Sequence, residues 1–312
     1  MIKISNGTLT ISLHTPDSAE GYYRGTRFDW AGVFESIEHN GCNYCEPWFE
    51  SYSPVMHDAV CGPAEEFGPI GLQEVQTGEP FLKVGVGILK KMEGAYDRFK
   101  LHEILDEGTR SLEVSDNSAT FTHMIGSPTG YGYEYKKEVA INGPTSFVIK
   151  HKLTNTGSKI LQSDVYNHNF FTMGLLETGP SRQLDFPFRP EGDWRAVYSE
   201  VGFTESGIRF SRNLQKGESV FTGNLHEAGK ELNGSPNSFV LSESKSPVWD
   251  FDDKGAAEGS KICNRSVSAV CNRPMTKAVF WSNHRIACYE PYIDFCIAPG
   301  ETFTFDIQYT LA

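Results

Sequence analysis

The alternation of apolar and polar residues along short segments is the feature that most constrains this chain. The clearest case is the last segment, where Phe303, Phe305, Ile307, Tyr309 and Leu311 occupy every second position. Successive side chains of a strand point to opposite faces, so these residues would cover one face of a single strand. A helix would instead place its apolar residues three to four positions apart. The segment is therefore predicted to be a half-buried terminal strand.

Similar segments recur along the chain, and the first of them has the pattern of a hairpin. Residues 2–4 and 9–13 alternate, and the pair Asn6-Gly7 between them accepts the positive φ angles of a tight turn. Alternation also runs through residues 131–141. These patterns predict strands joined by short turns.

Helical periodicity is scarce, and only residues 99–105 could form one helical turn. The 21 Phe and 13 Tyr favour pleated strands. No internal repeat and no Pro/Ser-rich linker divides the chain. The sequence thus predicts an all-β fold, a large antiparallel β-sandwich, with residues 1–312 forming a single domain.

Charge and hydropathy exclude some partners. The net charge is −12, from 28 basic and 40 acidic side chains, without a Lys/Arg cluster. Binding to a phosphate backbone needs a basic surface, so we expect no nucleic-acid partner, while a neutral small molecule stays compatible. No segment approaches the roughly 18 apolar residues of a membrane helix, and the N-terminus lacks a signal-like apolar core. We expect no membrane partner and a cytoplasmic location.

The cysteines offer little for metal or redox chemistry. There are seven, an odd number, which argues against a fully paired disulfide framework. Cys42 and Cys45 form a C-x-x-C pair, but no second pair of that spacing completes a zinc site. The pair also lies in a loop-like setting rather than at the start of a helix. We predict no metal site and ordinary thiols.

His168 is a candidate acid or base because of its neighbours. It lies between Asn167 and Asn169 and is followed by Phe170 and Phe171. Amides can fix the tautomer of an imidazole, and aromatic rings can lower the dielectric around it. A half-buried histidine satisfied by a nearby carbonyl is the alternative that the residues alone leave open.

Glu290 is a candidate base for a related reason. It lies between Tyr289 and Pro291 in an apolar and aromatic segment. Partial burial there would raise the pKa of the carboxyl toward a value useful for proton transfer. A solvated carboxylate at the end of a strand is the alternative.

The segments around His168 and Glu290, taken together in order, resemble the aldose 1-epimerase (galactose mutarotase-like) family, most closely its hexose-6-phosphate mutarotase branch. The similarity follows the family pattern of Thr-Asn-x-Gly, Asn-His-x-Phe/Tyr-Phe, Glu-Pro and Pro-Gly-Glu. The matching residues are 154–157, 167–171, 290–291 and 299–301, with weaker similarity at 23–28 and 58–68.

This resemblance implies a fold and a function. The fold would be the galactose mutarotase-like supersandwich. The activity would be interconversion of the α and β anomers of a hexose or hexose phosphate, with Glu290 as base, His168 as acid and no cofactor. The family's second histidine, in a His-Gly-Gly type segment, has no clear match; His102 lies in about the right region in a different context.

A sugar or sugar phosphate would need further binding groups. Guanidinium forks grip paired hydroxyls or a phosphate, which makes Arg24 and Arg27 candidates. Trp281 could stack on a sugar face, and His102 and Asp250 could bind hydroxyls. For each residue a structural or solvated role is the alternative.

Two other functions stay open at this stage, because a fold does not fix a function. One is a non-catalytic carbohydrate-binding protein, favoured by the missing second-histidine motif and the abundant aromatic residues. The other is a glycan-processing lyase or hydrolase, and hydrolysis would need a second acidic residue about 5–10 Å from Glu290.

Overall fold

The structure is a computed structural model that describes residues 1–126, 129–174, 177–196, 200–232, 234–243 and 265–312. Within these ranges the chain forms 23 strands and one short 3₁₀ helix, Leu72–Glu74. Every strand pair among them is antiparallel. The predicted all-β, antiparallel architecture is confirmed.

The strands of the first half are, in chain order, β1 (Ile2–Ser5), β2 (Leu9–His14), β3 (Val33–His39), β4 (Cys42–Asn43), β5 (Gly62–Phe67), β6 (Pro80–Lys83), β7 (Gly87–Lys90), β8 (Ile104–Asp106), β9 (Thr109–Val114), β10 (Ser118–Ile125), β11 (Tyr133–Gly143) and β12 (Ser146–Asn155). Those of the second half are β13 (Leu161–Phe170), β14 (Arg182–Asp185), β15 (Pro190–Ala196), β16 (Val201–Phe203), β17 (Gly207–Phe210), β18 (Ser219–Glu227), β19 (Ser238–Glu243), β20 (Arg265–Cys271), β21 (Lys277–Asn283), β22 (Ala287–Ile297) and β23 (Thr302–Leu311).

Two large sheets form the sandwich. One has ten strands in the order β16-β17-β14-β19-β20-β23-β12-β11-β10-β9, and the other has six in the order β15-β18-β21-β22-β13-β5. Aromatic side chains from the two sheets meet between them: Phe67 lies 5.3 Å from Tyr135, and Phe295 lies 5.5 Å from Phe303, between ring centroids. Smaller sheets of four strands (β1–β4) and three strands (β6–β8) complete the described part.

The strands predicted from alternation are present. Ile2 pairs with Leu13 across the opening hairpin, and Gly7 in its turn has a φ of 89°. Strands β11 and β23 cover the other two predicted segments. Residues 99–105, which could have formed one helical turn, form none. There the backbone N–H of His102 donates to Thr26 Oγ1, 76 residues away, instead of to a carbonyl one turn back.

A buried polar network joins the two sheets. Glu65, on β5 of the six-stranded sheet, accepts hydrogen bonds from Lys137 and lies 3.0 Å from His151 Nε2, both on the ten-stranded sheet. Asn167 Nδ2 donates to the same carboxylate at 2.9 Å. Burial opposes ionisation of Glu65, but Lys137 and His151 outweigh it and lower its pKa to about 2.

The 3₁₀ helix is too short to cross a membrane, and the described ranges contain no other helix that is long and apolar enough to do so.

Candidate active site

Strand register brings His168 and Glu290 together. Tyr166 on β13 pairs with Tyr292 on β22 in an antiparallel ladder. His168 lies two residues further along β13, and Glu290 lies two residues back along β22. Both side chains therefore lie on the same face of the sheet as this tyrosine pair. His168 Nε2 lies 3.1 Å from Glu290 Oε1. Two residues far apart in the chain are therefore direct neighbours across two strands.

The same register arranges this face of the six-stranded sheet in rows. The row through His168 and Glu290 lies between a polar row and a more apolar row. The polar row contains Glu66, Tyr166, Tyr292 and Lys277, and the apolar row contains Gly62, Phe170, Cys288, Trp281 and Phe221.

A cavity of about 520 Å³ opens over these rows. It falls in the size range of small-molecule sites. Four residues selected from the sequence line it: His168, Glu290, Arg27 and Trp281. The remaining lining residues are Trp48, His57, Asp58, Arg98, Phe99, Phe170, Ser219, Phe221, Val279 and Tyr292.

His168 is held by aromatic rings. Its ring stacks on Phe170, with 3.7 Å between centroids and 5° between planes, and Phe28 and Trp281 approach edge-on at 5.9 and 6.0 Å. Burial, with help from Arg27 and Arg98, lowers its pKa well below the ordinary value. The imidazole is therefore neutral at physiological pH.

The flanking amides do not orient His168, contrary to the sequence-based expectation. Asn167 Nδ2 donates to Glu65, and Asn169 Nδ2 donates to the carbonyl of Tyr289. The physical reason is the two-residue period of a strand, which turns residues i±1 to the opposite face. Among the described residues, Nδ1 of His168 has no hydrogen-bond partner.

Glu290 holds the proton of the pair. Burial raises its pKa to about 8; Glu66 adds to this effect, while Arg27 and Arg98 oppose it. At neutral pH the pair therefore consists of a protonated carboxyl and a neutral imidazole. Oε1 of Glu290 lies 3.1 Å from Nε2 of His168, so the pair has one proton that is available for transfer in either direction.

Glu66 organises the cationic side of the cavity. Its carboxylate accepts from Arg27 Nε at 2.8 Å, Lys83 Nζ at 3.2 Å, Arg98 NH1 at 3.4 Å and the hydroxyl of Tyr166. Burial disfavours its charged form, but Lys83 and Arg27 prevail and lower its pKa to about 2. One buried carboxylate thus fixes two guanidinium groups beside the His168–Glu290 pair.

Two other predicted binding residues, Arg24 and His102, lie outside this cavity. Arg24 and His102 line a separate cavity of about 530 Å³. Arg24 NH1 donates to the carbonyl of Ala19 at 2.7 Å, and His102 Nε2 lies 3.3 Å from the carbonyl of Asp97. Asp250 falls outside the described residues.

Several cavity residues escaped the sequence analysis. His57, half-buried, is the second histidine lining the cavity, and its Nε2 lies 3.5 Å from Asp58 Oδ2. Asp58 is the first residue of the 58–68 segment that resembles the family. That resemblance was the signal in the sequence that could have pointed to His57 and Asp58. Arg98 comes from an irregular segment without a motif, so nothing in the sequence pointed to it.

In the described ranges, no three His, Cys, Asp or Glu side chains are grouped so as to hold a metal ion.

Solved structures share this architecture over the full chain. A putative aldose 1-epimerase from Escherichia coli K12 aligns with a TM-score of 0.57 and 14% identity, covering 99% of this chain and 98% of that one. A galactose mutarotase-like protein from Clostridium acetobutylicum aligns with a TM-score of 0.52 and 12% identity, covering 98% of this chain and 99% of that one. Another, from Lactobacillus casei, aligns with a TM-score of 0.51 and 13% identity, covering 100% of both chains. No protein-family model and no curated protein sequence matches. The chain therefore has the β-sandwich fold of the aldose 1-epimerase and galactose mutarotase-like proteins.

Proposed function

We propose that this protein is an aldose 1-epimerase that interconverts the α and β anomers of a hexose or hexose phosphate. The observation that supports this most directly is the 3.1 Å contact between His168 Nε2 and Glu290 Oε1 in the cavity. The anomeric oxygen and the ring oxygen of an aldose are both bonded to C1. Two adjacent proton-transfer groups can therefore each reach one of them.

The reaction needs one proton shared by the pair. Starting from the protonated Glu290, His168 Nε2 takes the proton of the anomeric hydroxyl while Glu290 gives its proton to the ring oxygen. The C1–O5 bond breaks and an aldehyde forms; rotation about C1–C2 presents its other face. Reclosure reverses both transfers and restores the pair. No group is exchanged, so the residues need no cofactor for these steps.

The family resemblance implies the reverse starting roles, with Glu290 as base and His168 as acid. Both assignments use the same two groups and the same single proton. Burial favours Glu290 as the initial donor, because it raises the pKa of Glu290 and lowers that of His168. We therefore propose that the proton begins on Glu290.

The cavity walls suit a polyol. Arg27 and Arg98 offer charged donors on one side, and Trp48 and Trp281 offer aromatic surface on the other. Trp48 is held in place by stacking on Phe170, with 5.2 Å between centroids. A sugar over the central row would have hydroxyl partners and apolar surface within one cavity.

Polarimetry of freshly dissolved α-hexoses and hexose 6-phosphates tests the proposal. The protein should accelerate the approach to anomeric equilibrium. His168→Asn and Glu290→Gln should each lower kcat by about 10²- to 10⁴-fold, the usual contribution of a positioned acid or base. His226→Asn and Glu205→Gln, which do not line the cavity, serve as matched controls and should retain full activity.

Other outcomes would identify other functions. Saturable sugar binding without acceleration, unchanged in the two variants, would indicate the non-catalytic carbohydrate-binding alternative. Release of new reducing ends from an oligosaccharide would indicate a glycan-processing enzyme. In either case the epimerase proposal would be wrong.

A further inference from the structure

The cavity extends past the catalytic pair along the apolar row. On β21, Trp281 pairs with Cys288 of β22, and on β18, Phe221 pairs with Trp281. Ser219 and Phe221 both line the cavity, together with Val279 and Trp281. The floor of the cavity thus continues for two strands beyond the one that carries Glu290.

The spacing between neighbouring strands gives the distance from β22 to β18. Neighbouring strands lie about 4.8 Å apart, so β18 lies about 10 Å from β22. A single pyranose ring in contact with Glu290 would cover β22 and reach β21. It would leave Phe221 without a sugar face to contact.

Phe221 does not belong to the core of the sandwich. Its neighbours Val220 and Thr222 are fully buried on the opposite face, whereas Phe221 is only partly buried on the cavity side. The guanidinium of Arg195 lies 5.6 Å from the centroid of its ring, at an exposed position. Phe221 therefore offers apolar ring surface to the cavity beside the hydroxyl of Ser219, while the guanidinium of Arg195 lies over its ring. Apolar surface next to polar donors has the chemistry that holds a sugar ring, whose C–H face is apolar and whose edge is polar.

We propose that Phe221 and Trp281 form an outer subsite for a second sugar ring. The substrate is then the reducing-end residue of a disaccharide or longer oligosaccharide, with its anomeric carbon at His168 and Glu290. This inference rests on the proposed epimerase function. The outer ring lies on the aromatic side, away from the Arg27 and Arg98 side of the cavity.

Comparison of a monosaccharide with disaccharides tests the subsite. The wild-type protein should show a higher kcat/KM for mutarotation of maltose or cellobiose than of glucose. Phe221→Ala should lower kcat/KM for the disaccharide about five- to tenfold more than for glucose, as expected for loss of one stacking contact. Phe221→Tyr, which keeps a ring face, should restore the preference.

Phe203→Ala is the matched control, because Phe203 is a half-buried phenylalanine that does not line this cavity. It should leave the ratio of the two kcat/KM values unchanged. Circular dichroism would confirm that each variant is folded. Equal loss for both sugars in Phe221→Ala, or no preference in the wild type, would overturn the outer subsite.

Calorimetry separates failure of the subsite from failure of the enzyme. If the wild type accelerates mutarotation of neither sugar, the proposed function is wrong. The affinities measured by calorimetry then test the outer subsite on their own. Tighter binding of the disaccharide, weakened by Phe221→Ala, would support it. Equal affinity for both sugars would overturn it.

Discussion

At the residue scale, environment decides which member of the His168–Glu290 pair holds the proton. In water an imidazole is more basic than a carboxylate, so the proton would reside on histidine. Burial disfavours every charged form. It therefore favours a neutral imidazole beside a neutral, protonated carboxyl, because this arrangement contains no charge. Arg27 and Arg98 further disfavour a cationic His168. The buried pair therefore reverses the order expected in solution.

The pH dependence of activity should reflect this reversal. The pair functions with one proton, which it loses as the pH rises through the pKa of Glu290, about 8. Below that value kcat/KM should stay level through pH 6.5, because the pKa of His168 lies well below its ordinary value. Initial rates from pH 5 to 9.5, corrected for spontaneous mutarotation, would show this. A decline on acidification near pH 6.5, without one near pH 8, would contradict the assignment.

At the scale of the single element, β5 is the strand that prepares the cavity. Its residues alternate between the two faces of the six-stranded sheet. Glu65 points toward the ten-stranded sheet and contacts Lys137, while Glu66 points toward the cavity and contacts Arg27. Two consecutive carboxylates thus serve two different polar networks.

Removing the charge of Glu66 should destabilise the fold. Glu66→Gln leaves Arg27 and Lys83 buried without their anion, so the free energy of unfolding should fall by about 3–5 kcal/mol. Urea denaturation measures this change. Glu74→Gln is the control, since Glu74 is exposed and its ion pair with Lys159 is a surface one; it should leave the free energy of unfolding nearly unchanged. Equal effects of the two substitutions would contradict the role of Glu66.

At the scale of the whole molecule, the polar network between the sheets fixes how they face one another. Lys137 of β11 contacts Glu65 of β5 and lies 3.9 Å from Asp29 Oδ2. A buried charge without a partner costs several kcal/mol, so any other alignment of the sheets would be penalised.

A double-mutant cycle tests this network. Lys137→Met should lower the free energy of unfolding by about 3–5 kcal/mol, because it leaves two buried carboxylates without their cation. Adding Glu65→Gln should recover part of the loss, which urea denaturation would show as a coupling energy. Lys136→Met, on the exposed face of the same strand, is the control and should cost less than about 1 kcal/mol. Strictly additive losses would contradict the network.

Much of the architecture could be predicted from local pattern. The alternation at 303–311 predicted β23, and Asn6-Gly7 predicted the first hairpin, because a strand's period and a turn's φ angles are local properties. The conformation of residues 99–105 could not be predicted because its hydrogen-bond partners are distant in the chain, such as Thr26 for His102. Local pattern contains no information about such partners.

The candidate site divides in the same way. The sequence by itself determined that His168 and Glu290 lie in strand-like segments with aromatic neighbours, since residue type and spacing are readable along the chain. Only the tertiary structure decided that they touch, because their contact depends on the register between β13 and β22. It also placed Arg98 in the cavity and Arg24 outside it. The physical reason is that burial, charge pairing and cavity shape arise from packing between segments distant in sequence.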